Sequence, residues 1–214
     1  MGVGYPARSF EILPMNIFET LVATHKFDLK FPVKLEFTRD HFAEWLGQAG
    51  FMSGAEIGVE RGLYSDVLLS ANPEMTLYMV DPWAAYSGYR DHVSQEKFDR
   101  FFKETQERTK KYSHAEIIRK YSMDAVKTFP DNSLDFVYID ANHEFLNITQ
   151  DIFFWEKKVR HGGIVAGHDF RRNSHNGYIN HVKDVVQAWT YTHSIKPWFI
   201  TSGDKSPSWF WIKK

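Results

Sequence analysis

Ala55-Glu56-Ile57-Gly58-Val59-Glu60-Arg61-Gly62 is the stretch on which the fold reading turns. A short apolar run ends in glycines at 58 and 62, directly ahead of a helical pattern over residues 64–69. Glycine at such a junction lets the chain turn tightly from strand to helix and lets a ligand approach the backbone. Outward from it, further apolar runs occupy residues 76–80, 116–121, 134–140 and 163–166. Amphipathic stretches separate them. Residues 94–111 carry Phe98, Phe101 and Phe102 on one side, and residues 145–159 place Phe145, Ile148, Ile152, Trp155 and Val159 at helical spacing. Apolar runs alternating with helices predict βαβ units and a parallel sheet covered on both faces. Upstream, Thr38 is an N-cap for a helix over 39–50 whose inner face is Phe42, Ala43, Trp45, Leu46 and Ala49. Downstream, aromatic-rich runs at 196–201 and 208–213 flank a Ser-Gly-Asp-Lys-Ser-Pro turn, which predicts a hairpin and an antiparallel strand at the end of the sheet. Residues 1–37 lack a sustained period and read as an N-terminal extension with one short helix over 16–24, leaving residues 38–214 as a single domain.

Composition narrows the function classes. The 214 residues hold 26 Lys and Arg against 27 Asp and Glu, a net charge of −1, so no electrostatic footprint for nucleic acid is present. Without cysteine, disulfide frameworks, zinc knuckles, iron–sulfur clusters and thiolate nucleophiles are excluded. No run reaches the ~18 uninterrupted apolar residues of a membrane span, and residues 1–10 lack the pattern of a signal peptide. A cytoplasmic protein without a membrane partner is expected. A homo-oligomer is left open.

Ligands of open parallel sheets bind beyond the carboxyl ends of the strands. The second run ends in Asp81, 25 residues after Glu56, where a carboxylate can accept hydrogen bonds from ribose hydroxyls. Because three residues separate Gly58 from Gly62, the stretch is not the Gly-x-Gly-x-x-Gly of a pyrophosphate cradle, which disfavours nicotinamide and flavin dinucleotides. The 134–140 run delivers Asp140 and then His143, and the 163–166 run delivers His168 and Asp169. Singly, each is an ordinary cap or hydrogen-bonding group. Together they suit a divalent cation or a general base beside a substrate hydroxyl. Trp83, Tyr86, Tyr89 and Arg90, and the pair Arg171 and Arg172, are weaker pocket candidates, more simply read as loop packing and a solvated face.

Residues 56–62, 80–83, 122–126, 134–143 and 162–169, in this order, resemble class I S-adenosylmethionine-dependent methyltransferases. They look most like the methyltransferase domain 24 type, similar to catechol-type and macrocin-type O-methyltransferases. The resemblance implies a Rossmann-like fold with a mostly parallel seven-stranded sheet, an antiparallel C-terminal strand and helices on both faces. It further implies S-adenosylmethionine as cofactor, held by Glu56, Gly58, Gly62, Asp81, Ser122, Met123 and Asp140, and a small-molecule methyl acceptor, a sugar included. His143 stands where catechol-type enzymes carry a lysine base, and with His168 it is the expected catalytic pair. Asp140 and Asp169 match two Mg²⁺ ligands of metal-dependent members, but the third ligand position is Phe170. Two alternatives stay open: a metal-dependent hydrolase using Asp140, His143, His168 and Asp169, and an inactive binding protein that keeps the cofactor fold.

Overall fold

The computed structural model describes residues 31–85, 94–175 and 178–214. The helix expected over 16–24, and Tyr86, Tyr89 and Arg90, lie outside these residues. Ten strands and six α-helices follow in chain order among the described residues, with a short 3-10 turn at Val126–Thr128. The strands are β1 (Val33–Leu35), β2 (Ser53–Ile57), β3 (Thr76–Val80), β4 (Ala115–Ile118), β5 (Leu134–Ile139), β6 (Val159–Gly167), β7 (Ser174–His175), β8 (Tyr178–Ile179), β9 (Trp198–Thr201) and β10 (Trp209–Ile212). The helices are α1 (Arg39–Gln48), α2 (Leu63–Ala71), α3 (Gln95–Thr109), α4 (Ser122–Ala125), α5 (Phe145–Lys158) and α6 (Val182–Thr192).

Eight strands form one sheet in the order β1-β9-β10-β6-β5-β2-β3-β4, and β7 and β8 form a separate small hairpin. From β6 to β4 every pairing is parallel, while β10 runs antiparallel to both β6 and β9. This is the expected α/β architecture with one strand more than the seven expected. The extra strand is β1, inside the segment read as an extension, and it pairs parallel with β9. Three residues, Val-Lys-Leu, are too few to show a period, so only the tertiary pairing reveals the strand.

The helices form where apolar spacing and caps agree. Thr38 caps α1 by accepting from the His41 amide at 3.4 Å, and the His41 ring answers by accepting from the Thr38 amide. Phe42, Ala43 and Leu46 of α1 pack into the core on one face of the sheet with Phe136, Tyr138, Phe199 and Phe210. On the other face Ile148, Ile152 and Trp155 of α5 and Val182, Val185 and Val186 of α6 cover Val137, Ile139, Val165 and Trp209. Burying each such side chain contributes about 1.5–3 kcal/mol. Phe145 departs from the expected inner stripe: it is 58% exposed, because it opens α5 at the rim and meets His181 edge-on rather than the sheet.

The strand register sets the site. Ile57 pairs with Val80 on one side and with Ile139 on the other, and Ile139 pairs with Gly167. The next residues of four neighbouring strands, Gly58, Asp81, Asp140 and His168, therefore arrive side by side at one sheet edge. The chain steps from β2 outward to β3 and β4 and then returns to β5 on the opposite flank of β2, so this edge is a topological switch point.

Candidate active site

A cavity of about 600 Å³ opens over that edge and is lined by residues following β2, β3, β5 and β6, together with α4 and α5. Its size is that of a pocket for a nucleoside-sized ligand. All of Glu56, Gly58, Asp81, Ser122, Met123, Asp140, His143, His168 and Asp169 line it. Gly62 does not: at φ +68 it caps α2 beside Thr105 of α3, which is a backbone role.

The glycine turn and Asp81 form one unit. Gly58 has φ +90, and a Cβ there would lie 2.3 Å from the Asp140 carbonyl oxygen, so two strand ends approach as closely as bare backbone permits. Asp81 Oδ2 accepts the amides of Val59 and Glu60, each at 3.0 Å, and Oδ1 accepts the Trp83 amide at 2.7 Å. Burial pushes the Asp81 carboxyl up, against the pull of these three amides. Trp83 is fully buried and donates from its indole to the Glu60 carbonyl at 2.7 Å, so it fixes the loop rather than lining the cavity. Glu56 is buried beneath the turn. Desolvation raises its carboxyl to about 8, although the Ser65 hydroxyl donates to it.

On the α4 side, the Ser122 hydroxyl donates to Asp151 and accepts from the Trp155 indole at 2.8 Å. Burial lifts Asp151 to about 7. Asp151 was not singled out from sequence, yet the signal was present: an acid within the apolar stripe of α5.

The other end of the cavity holds a chain of alternating charge. Arg39 Nη1 lies 3.9 Å from Asp140, His168 Nδ1 lies 3.5 Å from Asp140 and 3.7 Å from Asp169, and Arg171 Nη2 lies 2.9 Å from Asp169. His143 bridges the two acids, with Nδ1 3.5 Å from Asp169 and Nε2 3.5 Å from Asp140. The second contact has ion-pair reach without hydrogen-bond geometry, and among the described residues the buried Nε2 has no hydrogen-bond partner. Burial alone would raise Asp140, but His143 and His168 outweigh it and hold the carboxyl below the usual range. Burial likewise would lower His168, and the carboxylates of Asp140 and Asp169 reverse this and raise it. Arg39 carries no motif and escaped sequence reading; its guanidinium lies over the Tyr64 ring, 4.8 Å from the centroid.

Asp169 takes a left-handed φ of +54 and accepts the Ser206 hydroxyl. The resulting turn separates its neighbours. Phe170 enters the core edge-on to Trp198 at 5.5 Å, whereas Arg171 lines the cavity and Arg172 stays exposed, paired with Asp184 at 3.3 Å. The solvated-face reading thus fits Arg172 and not Arg171.

A family model described as a methyltransferase domain, type 24, matches residues 55–170. No curated protein matches the sequence. Among solved structures, the chain is similar to an O-methyltransferase from Bacillus cereus in complex with S-adenosylhomocysteine, at 16% identity and TM-score 0.58 over 97% of this chain and 93% of that one. It is similar to the Streptomyces achromogenes O-methyltransferase TomG, involved in tomaymycin synthesis and in complex with S-adenosylmethionine, at 16% identity and TM-score 0.59 over 97% and 92%. The N-methyltransferase NodS from Bradyrhizobium japonicum aligns at 13% identity and TM-score 0.53 over 82% and 94%. With more than half of its length matched by that model and its switch-point cavity lined mostly by the same stretch, the chain belongs to the methyltransferase domain family.

Proposed function

We propose that the protein transfers a methyl group from S-adenosylmethionine to a hydroxyl oxygen of a small molecule, with residues 38–214 as the catalytic unit. The observation that carries this reading is the convergence of Gly58, Asp81, Asp140 and His168 around one cavity at the switch point. The cofactor complexes of the Bacillus and Streptomyces relatives support it. NodS shows that this fold also serves nitrogen acceptors, so the preference for oxygen rests on the base described below and on the O-methyltransferase relatives. The family assignment leaves the metal-hydrolase alternative without support.

The donor set fits a nucleoside sulfonium. The glycine turn offers bare backbone, Asp81 stands at the β3 end for the ribose, Ser122 and Met123 lie at the α4 wall for the base, and Glu56 and Asp140 line the same cavity from β2 and the end of β5. When bound, S-adenosylmethionine supplies a methyl carbon that leaves sulfur as the bond to the acceptor oxygen forms. The chain's own tasks are to align that oxygen and to take its proton. His168 turns Nδ1 toward both carboxylates, which leaves Nε2 as the proton-accepting nitrogen. His143, with Nε2 buried, is the positioning residue that ties Asp140 to Asp169.

Isothermal titration with S-adenosylhomocysteine tests the reading. One saturable site is expected, and Asp81→Ala should weaken it roughly tenfold or more, as hydrogen bonds to a charged group contribute about 1.5–3 kcal/mol. Because Asp81 also caps the turn, the melting temperature of each variant is measured alongside. A wild-type protein that shows no saturable binding would sink the proposal.

Mg²⁺ does not fit this site. Asp140, His143 and Asp169 offer ligand atoms within 4.8 Å of one another, but a hard cation demands an oxygen octahedron. Here an imidazole supplies nitrogen, Phe170 has left for the core, and each carboxylate already faces an arginine, Arg39 at Asp140 and Arg171 at Asp169. Turnover and affinity for S-adenosylhomocysteine are therefore expected to be the same in millimolar Mg²⁺ and in EDTA. A requirement for Mg²⁺ would overturn this reading of the two acids.

A further inference from the structure

We propose that Arg171 reads an anionic group on the methyl acceptor, so that the acceptor is a hydroxy compound bearing a carboxylate or a phosphate. The inference rests on the methyltransferase reading above and names the substrate class that the same cavity selects.

Arg171 is held as a built feature rather than a loose surface arginine. The left-handed Asp169, the buried Phe170 and two backbone bonds fix the turn that carries it: Phe170 N–H to the Pro207 carbonyl at 2.9 Å and Arg171 N–H to the Asp169 carbonyl at 2.6 Å. A guanidinium has five N–H donors in a planar fork. One nitrogen, Nη2, meets Asp169 at 2.9 Å, and the side chain, 41% exposed, lines the cavity. The part of the fork that faces the cavity is where the oxygens of an anionic ligand can be met. Asp169 does not neutralise the guanidinium fully, since it also accepts from Ser206 and faces His143.

Position along the sheet assigns this group to the acceptor. In the order β6-β5-β2-β3, Asp81 follows β3 and Arg171 follows β6, so the nucleoside end and the Arg171 end are the two extremes of the crevice. Of the other two arginines that line the cavity, Arg61 follows the glycine turn and pairs with Glu104 at 2.6 Å, and Arg39 sits at the Asp140 end of the charged chain over Tyr64. Arg171 lies beyond Asp169, on the far side of His168. An acceptor whose hydroxyl faces His168 thus places a neighbouring substituent beside Arg171. A carboxylate or phosphate matches the guanidinium fork there.

The test titrates the protein, presaturated with S-adenosylhomocysteine, with salicylate, 2-hydroxyphenyl phosphate and salicylamide, the neutral isostere of salicylate. At least one anion is expected to bind tenfold or more tighter than salicylamide, and whichever anion binds tighter identifies the source. Arg171→Gln should erase the difference, while Arg171→Lys, a point charge without the fork, should keep part of it. Affinity for S-adenosylhomocysteine should stay within twofold in both variants. Equal binding of anion and isostere, an unchanged difference in Arg171→Gln, or no probe binding to a saturated wild type overturns the proposal. Loss of S-adenosylhomocysteine binding confined to both Arg171 variants overturns it too, because Arg171 would then serve the cofactor. Absence of that binding in the wild type instead removes the methyltransferase reading itself.

Discussion

Gly58→Ala is expected to destabilise the protein by roughly 3–5 kcal/mol and to abolish cofactor binding, whereas Gly50→Ala should cost only about 1 kcal/mol and leave binding intact. The two positions share a conformation: φ is +90 at Gly58 and +72 at Gly50. They differ in what surrounds them. A Cβ at Gly50 meets nothing within 4 Å, so alanine there carries backbone strain alone. At Gly58 the new atom would lie 2.3 Å from the Asp140 carbonyl oxygen and 2.7 Å from the Ala141 Cα. Both are backbone atoms, which have no rotamer to escape into, so β2 and β5 must part. Parting them breaks the Asp140 N–H bond to the Ile57 carbonyl, 2.8 Å long, and shifts Gly58, whose own N–H holds the Val80 carbonyl of β3 at 2.9 Å. Those bonds hold the switch point together. Urea denaturation of both variants with titration by S-adenosylhomocysteine decides the matter: equal losses at the two glycines would show that the close approach carries no stability.

The same contrast explains what could be read from sequence. Strands β2 to β6 were legible because each is a short apolar run bounded by polar punctuation, and a parallel sheet then brings their following residues to one edge. That is why Gly58, Asp81, Asp140, His143, His168 and Asp169 could be named in advance, and all six line the cavity. Arg39 and Arg171 depend on geometry that leaves no local trace. Arg39 reaches the site only because α1 packs over Tyr64, and its backbone is tied to Asp204, far along the chain, at 2.7 Å. Arg171 and Arg172 look equivalent as a pair, and only the left-handed turn at Asp169 sends one to the cavity and the other to solvent. Strand β1 was illegible for a related reason: its partner β9 lies more than 160 residues later, and three residues carry no period. Phe170, by contrast, was a readable departure from the metal-ligand pattern, and its place against Trp198 supplies the physical counterpart.

His168→Gln is expected to lower kcat by about 10²–10⁴, the usual contribution of a positioned general base, with affinity for S-adenosylhomocysteine unchanged. His143→Gln should cost less, since that ring bridges Asp140 and Asp169 through contacts of 3.5 Å while its Nε2 is buried from the acceptor. The pH profile separates a base from a merely structural histidine. A base acts in its neutral form, so kcat rises with pH until the imidazole has lost its proton. Burial pushes His168 down, but Asp140 and Asp169 more than compensate, so the rise should centre above the ordinary imidazole value of about 6.5. Asp140→Asn removes the nearer charge, 3.5 Å from Nδ1, and leaves the burial in place. The midpoint should therefore move to lower pH in that variant, the opposite of what a generic loss of stability would produce at the acid end. A midpoint unmoved by Asp140→Asn, or a His168→Gln enzyme that keeps its kcat within a few fold, would transfer the base role away from His168. If the alkaline plateau then vanished in His143→Gln instead, the two imidazoles would exchange roles: His143 would take the proton and His168 would hold the carboxylates.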